Sequence, residues 1–166
     1  MRDEGVSEEH IQQEFYCSFN RGVEGSYYGR IIEKATKMTL PDFAKQTLFK
    51  DIGIKNFTWN FKPDASSAET FCQLYLNSRD MGKLGLLYLN RGIWNGKQVI
   101  STAWVKESLT KQSVVQGVNY GYLWWLKYID VNGVRYNGKA AQGNGGQKIY
   151  IWEEQNMVTI ITGGNY

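Results

Sequence analysis

Residues 143–166, GNGGQKIYIWEEQNMVTIITGGNY, constrain the fold more than any other stretch, because two strands and a corner are legible there. Gln147 to Trp152 is rich in β-branched and aromatic residues that suit a pleated surface. Glu153 to Asn156 is polar and suits a short turn. Met157 to Thr162 is a near-continuous apolar run, the pattern of a strand inside a sheet. The pair predicts an antiparallel hairpin. Ahead of it, Gly143-Asn144-Gly145-Gly146 sets three glycines around one polar residue. Glycines there let a backbone come close to something and aim N–H groups at it. Taken alone, such a cluster reads as a bulge or an ordinary loop.

A hairpin of this kind needs layers to pack on, and the preceding sequence offers helices. Tyr27, Tyr28, Ile31, Ile32 and Ala35 recur at helical spacing and predict a helix over 27–37, with Ser26 as its N-cap. Thr39-Leu40-Pro41-Asp42 opens a second helix over 40–49: Thr39 caps, Asp42 answers it, and proline fits the first turn. Gly53 stops it. Residues 1–14 read as a frayed arm or a surface helix, Phe15 to Asn20 as a loop, and 55–73 as irregular. Ser78 is the expected cap of a helix over 79–90, and Ser101 of one over 102–110. Asn95-Gly96 and Asn132-Gly133 carry tight-turn signals. Tyr120 to Tyr128 reads as one strand. Helices come first and strands later, which predicts an α+β class, an antiparallel sheet with helices packed on one side.

The remaining composition narrows the partners. The 166 residues are enough for one domain, and 42% hydrophobic against 21% charged describes a globular chain. The net charge of +3 is spread thinly, with no dense Lys/Arg run, which argues against nucleic acid. No apolar stretch has the length of a membrane span, and the opening MRDEGVSEEH lacks the apolar core of a signal peptide. Cys17 and Cys72 stand far apart and suggest neither a metal site nor a disulfide framework. A Ser-His-Asp triad would have to use His10, whose surroundings Ser-Glu-Glu-His-Ile-Gln-Gln-Glu read as a solvated helix face.

Several blocks, in this order, resemble the β-lactamase-related serine hydrolases, the class C β-lactamase and penicillin-binding-protein-like family. They are GRIIEKATKMTLPDFAKQTLF at 29–49, LYLNSRDMGKLGLLYLNRGIWNGKQVIS at 74–101, YGYLWW at 120–125, and GNGGQKIYIW through TGGNY at the end. The resemblance implies a partial transpeptidase-like fold, a single partial domain over 1–166. It also implies no cofactor, a small-molecule or peptide substrate with a carbonyl group, and a family setting that is often periplasmic or secreted.

Members of that family attack a carbonyl with the serine of a Ser-x-x-Lys motif and pass through an acyl-enzyme. The serine needs a base, and the tetrahedral oxyanion needs donors already in place. By resemblance, the third motif falls on Asn144-Gly145-Gly146, and the backbone N–H of Gln147 becomes an oxyanion donor. Relatives often carry His or Lys at the place of Asn144, so Asn144 brings a hydrogen bond without charge. The second motif fits Tyr16-Cys17-Ser18, with Tyr16 assisting proton transfer, or Ser18-Phe19-Asn20 two residues on. Ser18, Asn20, Asn144, Gly145 and Gly146 are the expected substrate-binding residues. The chain's one Ser-x-x-Lys match is Ser108-Leu109-Thr110-Lys111, where the family has no catalytic serine, and it reads as a solvated helix end. The expectation is therefore a C-terminal portion without its nucleophile, inactive alone, or a non-catalytic binding module of the same fold. Its sheet face, bare of terminal elements, is expected to self-associate.

Overall fold

One helix organises the molecule. In the computed structural model, which describes residues 13–16, 23–61, 72–143 and 145–163, helix α4 (Ser78–Leu89) lies across the end of a six-stranded sheet. Met81 and Gly85 lie one turn apart on its buried side, and Asp80 and Leu87, seven residues apart, are buried beside them. The helix approaches closely: a Cβ on Gly85 would lie 2.5 Å from Val158 Cγ1 and 2.9 Å from Ile149 Cγ2. Only glycine lets these two backbones meet there.

That sheet runs β11-β10-β9-β8-β7-β6, antiparallel throughout, from β6 (Ser113–Val115), β7 (Val118–Tyr120), β8 (Trp125–Val131) and β9 (Val134–Gln142) to β10 (Lys148–Trp152) and β11 (Met157–Ile161). The predicted hairpin is β10–β11, in register from Lys148↔Ile161 to Trp152↔Met157. Ile149, Ile151, Val158 and Ile160 share the face under α4. Lys148, Tyr150, Trp152, Met157, Thr159 and Ile161 share the other. On that second face Trp152 lies flat beside Tyr150, with ring centroids 5.1 Å apart, and its indole N–H donates to Thr159 Oγ1 at 3.1 Å.

The first half holds α1 (Val23–Thr36), α2 (Leu40–Ala44), a π-helical turn (Lys45–Phe49) and α3 (Lys50–Ile52), ended by Gly53 at φ 69°. Thr39 caps α2 as expected: its hydroxyl accepts from Asp42 N at 3.2 Å and donates to the Asp42 carboxylate at 2.6 Å. A separate three-stranded sheet, β1-β3-β2, is built from β1 (Gln13–Tyr16), β2 (Thr58–Phe61) and β3 (Cys72–Leu76). The two-residue strands β4 (Ile93–Trp94) and β5 (Lys97–Gln98) flank the Asn95-Gly96 turn, and α5 (Thr102–Ser108) follows, capped by Ser101. The core joins Phe49, Ile52, Ile54, Leu74, Leu76, Met81, Leu87, Val105, Trp124, Ile149 and Ile151 across both halves.

Five expectations are corrected. Residues 55–73 and 13–16 hold strands where a loop or surface helix was expected, because β1 and β2 pair with the distant β3. Helix α1 begins at Val23, four residues before Tyr27 in the same periodic stripe, so Ser26 sits within its first turn. The cap of α4 is Asn77, whose side chain accepts from Asp80 N at 2.8 Å and donates to the Asp80 carboxylate at 2.9 Å. Capping from Ser78 would have put apolar Met81 in the answering position, three residues on. Residues 120–128 are not one strand: the chain turns a corner at Gly121–Trp124, with Leu123 at φ 65°. Ser108, the fifth, is described with the site.

Candidate functional site

The corner is a closed backbone ring between β9 and β10. Gly143 N–H donates to the Gln147 carbonyl at 2.8 Å, and Gly146 N–H to the Gly143 carbonyl at 3.3 Å. Gly146 sits at φ 91°, a conformation that favours glycine, and a Cβ added to it would meet nothing within 4 Å. Among the described residues, the space over Gly146 is therefore open.

Gly163, two residues past the end of β11, fastens the ring. Gln147 is fully buried, and its amide donates to the Gly163 carbonyl at 3.0 Å. Gly163 in turn has no room for a side chain: a Cβ there would lie 2.7 Å from the Gly145 carbonyl oxygen. Gly145 is buried and Gly146 half-buried. Because Gln147 has no exposed surface, a carbonyl oxygen meets its N–H only after a covering group moves. No local pattern marks the Gln147 side chain as this fastener, because its partner Gly163 lies sixteen residues away.

The other candidates are distributed differently. Tyr16 ends β1, opposite Gln73 of β3, in the three-stranded sheet and not in the sheet that carries the corner. Ser18, Asn20, Asn144 and His10 lie outside the described residues. Ser108 is not at a solvated helix end. It is fully buried, its hydroxyl donates to the Val105 carbonyl at 3.0 Å, and its own carbonyl accepts from Tyr122 N–H at 2.9 Å. Helix α5 ends at Ser108, so no helical turn carries on to the exposed Lys111. A buried hydroxyl bonded within its own helix, with its lysine in solvent, cannot act as an activated nucleophile.

One neighbour of the corner was not singled out from sequence. Gln142, two residues before the corner's central Asn144, has a buried Nε2 with no hydrogen-bond acceptor among the described residues. A donor so placed costs free energy unless something accepts from it. Farther out on the same sheet face, burial and the neighbouring Lys148 hold the Lys127 ammonium below the ordinary lysine range, and its Nζ lies 5.7 Å from the Trp125 ring. Burial pushes the Tyr150 phenol up. Among the described residues no His, Cys, Asp and Glu group could hold a metal ion, and no helix is long and apolar enough to cross a membrane.

The fold is that of the β-lactamases and penicillin-binding-protein-like serine hydrolases, in part. The chain superposes on a protein described as a 6-aminohexanoate-dimer hydrolase from Bacillus anthracis with TM-score 0.73 at 23% identity, covering 89% of this chain and 38% of that one. A protein described as a β-lactamase from Bacteroides dorei matches with TM-score 0.59 at 12% identity, over 83% of this chain and 48% of its own. The octameric penicillin-binding protein homologue of Pyrococcus abyssi matches with TM-score 0.54 at 16% identity, over 83% and 37%. The chain thus spans half or less of the length of these three structures. No protein-family model matches it, and no curated protein does.

Proposed function

We propose that these residues form the sheet-and-corner part of an acyl-transfer site in a serine hydrolase acting on amides or esters. The observation that carries the reading is the glycine corner closed by Gly143, Gly146 and Gln147, open over Gly146 among the described residues, at a strand junction of a β-lactamase-like fold. In this reading the Gln147 N–H receives the developing oxyanion once the group covering it has moved aside, and such a donor stabilises the tetrahedral intermediate. Tyr16 assists proton transfer, and Ser18, Asn20, Asn144, Gly145 and Gly146 line the substrate. The attacking serine and its lysine stand outside residues 1–166, so the chain by itself turns nothing over. The 6-aminohexanoate dimer in the neighbour's printed description is a natural first compound to try.

A second reading, binding without hydrolysis, is favoured by the exposed pair Trp104 and Tyr122, stacked at 5.3 Å and 8° as a flat aromatic platform. The two separate in one experiment. The chain is produced together with the coding sequence that precedes Met1, and hydrolysis of the 6-aminohexanoate dimer and of a nitrophenyl ester is followed. The hydrolase reading expects turnover that is lost when the serine of an upstream Ser-x-x-Lys is changed to alanine. An upstream sequence without that motif, and no turnover, leaves the binding reading.

A further inference from the structure

We propose that the side chain of Gln147 is the positioning residue of the corner: its amide bond to the Gly163 carbonyl lets the end of β11 hold the corner's backbone donors in place. The inference rests on the acyl-transfer reading for what the held corner does, and on the geometry alone for how it is held. Gln147 Nε2 donates to the Gly163 carbonyl at 3.0 Å, and the Gln147 carbonyl accepts from Gly143 N–H at 2.8 Å. One residue thus ties the corner at two points. Its backbone closes the corner against the end of β9, and its side chain anchors the corner to the chain beyond β11. Gln147 is fully buried, and a buried donor that loses its acceptor costs free energy, so the anchor resists breaking.

Gly163 fits the anchor from the other side. It does not have a positive φ, so space and not backbone conformation calls for glycine there. An added Cβ would lie 2.7 Å from the Gly145 carbonyl oxygen and 3.4 Å from Gly146 Cα, both backbone atoms of the corner. The register brings the two segments together: Lys148 pairs with Ile161, so the chain two residues on runs beside Gly146. Strand β11 is itself a firm base, because Val158 and Ile160 pack against the core under α4. A corner held from β9, β10 and the end of β11 has its N–H groups aimed before a substrate arrives, which is what stabilising an oxyanion requires.

The test uses the chain together with the coding sequence that precedes Met1, and three variants. Gln147→Met keeps the length and removes the amide. Gln147→Glu keeps the shape but sets a carboxylate, an acceptor, against the Gly163 carbonyl, another acceptor. Gly163→Ala pushes on the Gly145 peptide. Hydrogen exchange read by mass spectrometry is expected to speed about tenfold or more in the peptide spanning 143–147 of Gln147→Met, with the peptide carrying Tyr122 as an unchanged reference. For hydrolysis of the 6-aminohexanoate dimer or a nitrophenyl ester, each variant is expected to lower kcat and kcat/KM together by about tenfold or more, with KM little changed. A protonated carboxyl can donate to the Gly163 carbonyl, and burial raises its pKa. The Gln147→Glu defect, in exchange as in kcat, should therefore recover relative to wild type as pH falls, while that of Gln147→Met persists at every pH. That recovery decides the matter even if Gln147→Met fails to fold. Unchanged exchange at 143–147 in Gln147→Met overturns the proposal, as does a Gln147→Glu defect that is flat with pH. No turnover by the wild type instead strikes the acyl-transfer reading, and the exchange results then decide the positioning.

Discussion

Helix α4 carries two glycines one turn apart, and they predict opposite outcomes for the same substitution. Alanine replaces glycine in a helix interior with a gain of about 1 kcal/mol. At Gly82 that gain stands nearly alone, because an added Cβ would lie 3.9 Å from Ile160 Cγ1, an ordinary contact. At Gly85 the same methyl would lie 2.5 Å from Val158 Cγ1 and 2.9 Å from Ile149 Cγ2, both in the packed layer under the helix. Relieving that overlap costs about 1–3 kcal/mol. The propensity term is common to both sites, so it cancels in the comparison, and the gap between the variants equals the overpacking cost. Gly82→Ala is expected to be about 1 kcal/mol more stable than wild type, and Gly85→Ala to fall about 1–3 kcal/mol below Gly82→Ala. Urea unfolding followed by tryptophan fluorescence reads both, with equal m-values required for the comparison. Gly85→Ala at or above Gly82→Ala would refute the close helix–sheet approach.

Three further outcomes follow from single residues. Asn77→Ala should cost about 0.5–2 kcal/mol through the lost cap, whereas Ser78→Ala should change little; urea midpoints of the pair distinguish them. Gln142→Leu removes a buried donor that has no acceptor among the described residues and should be neutral or stabilising by up to about 1–3 kcal/mol; a clear loss in the same assay would mean that the amide has a partner. Lys127 titrates below its ordinary value of 10.5 in the folded chain. Between its folded value and 10.5 the unfolded chain binds more protons, so this residue's contribution to stability rises with pH there. The stability advantage of Lys127→Met over wild type should therefore shrink as pH climbs toward 10.5, and a flat or widening difference contradicts the burial.

What the sequence made legible was mostly local. Asn95-Gly96 and Asn132-Gly133 turn the chain where expected, each with two positive φ angles, because few other dipeptides tolerate that geometry. Thr39 and Ser101 cap where their spacing placed them. Strands β1, β2 and β3 were not legible, since their pairing spans residues 13 to 76 and no local signal records a distant partner. The corner at Gly121–Trp124 was hidden by the aromatic-rich run Tyr-Gly-Tyr-Leu-Trp-Trp. Its cause is tertiary: a Cβ on Gly121 would lie 2.1 Å from the Ser108 carbonyl oxygen, so the chain bends around the end of α5. At the candidate site the glycine ring was readable, but the burial of Gln147 and its bond to Gly163 depend on β11 and appear only in three dimensions.

The claim that residues 1–166 hold part of an acyl-transfer site without its nucleophile is tested most directly by covalent labelling. The chain is incubated with a fluorescent penicillin and with a fluorophosphonate ester, digested, and searched for adducts by mass spectrometry. No stoichiometric adduct is expected on any serine: Ser108 is buried against Val105, and no lysine stands three residues after Ser18. A stoichiometric adduct on Ser108 would show that α5 opens to form a working Ser-x-x-Lys site. One on Ser18 would make the segment after Tyr16 the source of the nucleophile, and either result would contradict the account.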